Sequence, residues 1–158
     1  MQVGERVVAA RADAGPQLEI GWFAARQPGV MRFLEDRLGA CAPRAQGVDD
    51  EVLAIALDAA CAIAEMFTAQ HGRPPPRLSP RALERAEEQA LEALAQRRPG
   101  YAERQPGLAA WVAGLVADPP RPLSRAQRRA LALALGAVIA GFDAALATAD
   151  ETDNPLLA

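Results

Sequence analysis

The chain has 158 residues, of which 51% are hydrophobic but only 4% aromatic, and a net charge of −3. A length of one ordinary domain suffices for a core without disulfide or metal staples. A core poor in aromatics and rich in Ala favours packed helices over sheet, because Ala has the best helix propensity and is depleted in strands. Every basic residue is Arg, and eleven of the seventeen fall in residues 73–129. They are interleaved there with Glu84, Glu87, Glu88 and Glu92 and with only two aromatics, Tyr101 and Trp111, so a solvated face is expected and nucleic-acid binding is not.

Glu5, Arg6, Arg11 and Asp13 interrupt the start of the chain where a secretory signal would need an apolar run, which points to a cytoplasmic, reducing setting. Gln27-Pro28-Gly29 marks a corner, because proline suits the first position of a helix and pushes the residue before it out of the α region. A helix then runs to Gly39, with Val30, Phe33, Leu34 and Leu38 at i, i+3, i+4 and i+8 on one face. Cys41 and Cys61 are too far apart for a metal-binding pair, and Cys61 reads as a small buried hydrophobe.

Asp49 can cap a long helix ending near Gly72. Glu51, Asp58 and Glu65 recur every seven residues along it, an acidic stripe that is expected to face solvent, since three acids without partners do not make a metal site. GRPPPRLSP is an extended linker up to Ser79, which caps a helix over 80–97 beginning at Pro80, with Leu78 and Leu83 placed as a hydrophobic staple. Leu83, Ala86, Ala90, Leu91 and Leu94 form its apolar face. Gln105-Pro106-Gly107 repeats the corner, Pro119-Pro120 stops the next helix, and Ser124 with Gln127 forms a capping box for a last helix running to about Thr148. Its run 130–142 contains no polar side chain, but thirteen residues reach only ~20 Å, short of a bilayer core, so a buried helix and no membrane span is expected.

The two corners belong to a longer match. At an offset of 78, residues 23–29 align with 101–107 at five identities in seven, and the apolar positions of the following helices coincide without a gap. Leu53-Ala54-Ile55-Ala56-Leu57 falls on Leu131-Ala132-Leu133-Ala134-Leu135 at the same offset. The expected architecture is therefore an all-α helical bundle in a single domain. Two pseudo-symmetric helical hairpins, 16–72 and 99–149, are joined by a linker and amphipathic helix, 73–98, and followed by a frayed tail, 150–158.

The charged residues retained in kind are Arg26 with Arg104 and Glu65 with Asp143. Their heights above the hairpin turns predict that each arginine pairs with such an acid, holding Gln27 and Gln105 at the corners. The alternative is that these arginines, with the helix N-termini beyond Gln27 and Gln105, bind a carboxylate or phosphate. The second copy has lost polar faces: Glu35, Asp36 and Arg37 become Ala113, Gly114 and Leu115, and Gly136, Ala140 and Ala144 form a small-residue row that would admit another helix. Either the helix 80–97 or a second chain must cover this copy.

His71 is the chain's one histidine and lies at a helix end, and no di-iron, dinucleotide or P-loop motif is present, so neither catalysis nor a cofactor is expected. The expected function is that of a non-enzymatic helical interaction or regulatory protein, as a homodimer or with a protein partner. The rival is a binding module for a small anionic or apolar ligand held between the copies near the corners.

Overall fold

The computed structural model describes residues 16–39, 49–96 and 100–152. Residues 1–15, Cys41, the capping side chain of Asp49, the side chain of Leu94 and the tail from 153 lie outside the described residues and side chains. Seven helices make up the described chain, with no strand among them: α1 Pro16–Arg26, α2 Pro28–Gly39, α3 Asp49–His71, α4 Pro80–Ala95, α5 Tyr101–Arg104, α6 Pro106–Ala117 and α7 Arg125–Thr152. The protein is all-α.

Local chemistry sets most of these boundaries. Pro28, Pro80 and Pro106 each open a helix at the position where a missing N–H costs nothing. The Ser79 hydroxyl accepts the Ala82 N–H at 3.1 Å, capping α4. Ser124 and Gln127 make the full reciprocal box: the Gln127 N–H donates to the Ser124 hydroxyl at 3.1 Å, and the Ser124 N–H donates to Gln127 Oε1 at 2.8 Å. Gly72, at φ +70°, ends α3 in the left-handed conformation, its N–H donating to the Thr68 carbonyl at 2.8 Å. The last helix passes the expected stop at Thr148 and takes in Asp150 to Thr152, because nothing in Ala147-Thr148-Ala149 breaks a helix.

The apolar faces dictate the packing. α7 is central: it touches α2, α3, α4, α5 and α6, and Leu131, Leu135, Val138, Ile139 and Phe142 along it are fully buried. Phe142 meets Phe67 of α3 edge-on, ring centres 5.7 Å apart. The most extensive helix pair is α4 with α7, so the linker helix covers the second long helix from within the chain. Leu78 and Leu83 do this jointly at Gly141, where a Cβ would lie 2.9 and 3.2 Å from their methyl groups. Leu91, expected on the apolar face of α4, is instead exposed, since it lies beyond the stretch anchored by Leu83 and Ala86.

The run 130–142 belongs to a longer apolar helix than its thirteen residues suggested. By length and composition two helices, Glu51–His71 and Arg125–Ala149, are long and apolar enough to cross a bilayer, and in each the apolar window is 61% buried inside the bundle.

Candidate functional site at the first corner

Gln27 and Gln105 are the buried polar residues among the described part of the chain, 4% and 9% exposed. A buried amide must find partners or cost stability, and the two corners answer this differently. At the first, the Gln27 amide N–H group donates to the carbonyls of Pro75 (3.2 Å) and Pro76 (2.9 Å), while its Oε1 accepts the Leu78 N–H at 3.1 Å. Pro75 and Pro76 have no N–H of their own and bring only carbonyls to the corner, Leu78 brings an N–H, and one amide serves both kinds of group. Gly29 makes room for the strap: a Cβ there would overlap the Leu78 carbonyl oxygen and lie 3.2 Å from Pro80 Cδ.

At the second corner no strap is present among the described residues, and a Cβ on Gly107 would meet nothing within 4 Å. The Gln105 amide donates to Asp143 Oδ1 at 2.9 Å, and Arg104 Nε donates to Asp143 Oδ2 at 2.6 Å. Arg104, Gln105 and Asp143 thus form one closed cluster linking the corner to α7. The matching trio does not close in this way. Arg26 lies over the Trp22 ring, 4.6 Å from its centre, and Trp22 corresponds to Gly100 at the offset of 78. An aromatic ring therefore captures the guanidinium at the first corner, where the second has glycine at that position.

The result is a pocket of about 280 Å³ at the first corner. Trp22, Phe23, Arg26 and Gln27 form one wall, Ala64, Glu65 and Thr68 of α3 the second, and Pro74, Pro75 and Arg77 of the strap the third. Arg77 is held in place by donating from Nη2 to the Ala25 carbonyl at 3.1 Å. The pocket lies between α1, α3 and the linker strap, not between the two expected hairpins. A second cavity, about 310 Å³, opens between α4, α5 and α7 beside Leu91, Tyr101 and Gly136.

The residues expected at an interface are divided by the fold. Gly136 is buried beneath Tyr101, whose hydroxyl would be 2.7 Å from an added Cβ, so the gap in the small-residue row receives a ring of the same chain and no further helix. Ala140 is half-buried and Ala144 exposed, whereas Ala113 and Gly114 lie exposed on α6.

Other expected features resolve into local contacts. His71 is exposed and stacks on Phe67 with ring centres 6.0 Å apart. Glu51 of the acidic stripe pairs with Arg121, and no group of three potential metal ligands occurs among the described residues. Trp22 and the strap residues Pro74, Pro75 and Arg77 were not legible as site residues. A Trp one turn before Arg26 of a repeated corner was the available signal for the first, and nothing local announced the second. Comparison with protein-family models, with curated proteins and with solved structures gave no match.

Proposed function

We propose that this chain is a non-enzymatic helical interaction protein of the cytoplasm, built from a duplicated hairpin, which self-associates through the outer face of α6. One observation carries the reading: a helix with no polar side chain leaves most of its apolar surface uncovered. The twelve residues of α6, PGLAAWVAGLVA, pack on α7 and the short α5, burying only Leu108 and Val112. Ala110, Ala113, Gly114 and Ala117 are exposed, with Trp111 and Leu115 half-buried beside them. Its counterpart α2 packs on α1, α3, α4 and α7 and still keeps Arg32, Glu35 and Asp36 on its outer side.

Small residues at i, i+3, i+4 and i+7 let two helices approach closely. A second copy presents the same row, so the contact is self-complementary about a twofold axis. Twelve residues make a face ~18 Å long, and two such faces bury on the order of 500 Å², well under the ~1,200–2,000 Å² of stable interfaces. At ~25 cal/mol per Å² this gives roughly 12 kcal/mol before association costs of similar size. The dimer is therefore weak and reversible. What supports duplication is that both corners break the chain at a buried Gln followed by Pro and Gly, with the Gln N–H donating to the carbonyl of Phe23 in one and Tyr101 in the other, both at 2.7 Å.

Sedimentation velocity from micromolar to millimolar concentration tests the proposal. The expected result is a concentration-dependent shift toward dimer that Ala113→Glu removes without changing the helical spectrum. A monomer throughout, or a dimer indifferent to Ala113→Glu, contradicts it.

A further inference from the structure

Independently of α6, we propose that the pocket at the first corner binds a small monocarboxylate with a flat apolar body. Its walls supply both halves of such a ligand. Trp22, 53% exposed, and the rings of Pro74 and Pro75 offer flat apolar surface over a floor of Phe23 and Ala64. An apolar cavity of about 150 Å³ holds one benzene ring, so the 280 Å³ here accommodates a two-ring body or one ring with its carboxylate.

The charges choose the sign of the ligand. Arg26 and Arg77 converge at the end of α1, Arg77 being tied to the Ala25 carbonyl next to Arg26. Among the described residues Arg26 has no acidic partner; its one contact is the Trp22 ring. A guanidinium held over a ring by cation–π attraction still has N–H donors to offer, and a carboxylate can receive two of them in parallel. A cation would face the two arginines.

The positions one repeat on show why only the first corner takes a ligand. With Gly100 in place of Trp22, Arg104 reaches Asp143 and is paired with an acid of its own chain through Nε.

Calorimetric titration of the full chain with 2-naphthoate and with its neutral isostere 2-naphthamide tests the site, with the indole N–H resonances of Trp22 and Trp111 locating the probe. The acid is expected to bind saturably, to shift the Trp22 resonance and not that of Trp111, and to bind about tenfold more tightly than the amide. Arg26→Ala, at an exposed side chain, should remove that preference while leaving the melting temperature unchanged, and Arg104→Ala should leave binding intact. No saturable shift at Trp22 with millimolar acid, equal binding of acid and amide, or an acid preference that survives Arg26→Ala would each overturn the proposal.

Discussion

Gly29 and Gly107 occupy the same place in the same four-residue motif, yet the fold gives them opposite duties. Gly29 lies against the backbone of Leu78, and a backbone cannot swing aside as a side chain can. Gly29→Ala should therefore cost ~2–3 kcal/mol or more, in the range of overpacking, by forcing the strap from Gln27. Gly107 has open space around it near the start of α6, so Gly107→Ala should be neutral or stabilise by up to ~1 kcal/mol through helix propensity. Urea unfolding of the two variants checks the pair, and equal effects would refute the assignment of the strap to one corner. Tyr101, the chain's one tyrosine, is a second residue whose environment can be read directly. Burial raises its phenol above the ordinary value of 10.0, so the folded state holds its proton longer than the unfolded chain does. Below pH ~10 both states are neutral and nothing is lost; above it the unfolded state ionises first and stability falls as pH rises toward the folded value. Phenolate absorbance should show a midpoint above 10, and Tyr101→Phe should reduce the alkaline loss of stability.

At the scale of elements, what was legible in the sequence was what is local. Proline at a first position, the Ser124–Gln127 box and the apolar period of α2 each act within a few residues, so each could be read before any packing was known. The clamp of Gln27 on the strap joins residues about fifty apart in sequence, and the ring of Tyr101 over Gly136 depends on how α5 meets α7; no periodicity reports either. Arg37 is a third case. Read as part of an exposed charged face, it reaches α4 and grips Glu87 with Nε at 2.9 and 3.2 Å and Nη2 at 2.7 Å, while lying 5.2 Å over the Phe33 ring. The hydrogen bond to Glu87 raises its pKa from an already high value. A double-mutant cycle of Arg37→Ala and Glu87→Ala should return a coupling of ~1 kcal/mol, at the upper end for a pair only partly shielded from water, because the contact is bidentate. A coupling near zero would mean that α2 and α4 are held by apolar packing alone.

For the whole molecule, the two halves share a pattern of corners and helices but not a pattern of cover. α4 lies on α7 and α2, completing the burial of the second long helix and of the first short one, and leaves α6 with an apolar outer face. The sequence posed this as a choice between an internal and an external cover for the second copy. The structure shows the first, the linker helix covering α7; for α6 a second chain is proposed. The most direct measurement is the concentration dependence of amide chemical shifts across the full chain. Self-association through α6 predicts reversible shifts confined to Ala110 to Ala117 and the residues beside them, abolished by Ala113→Glu. Shifts that are absent up to millimolar concentration, or that centre on α1, α3 or α4, would contradict it.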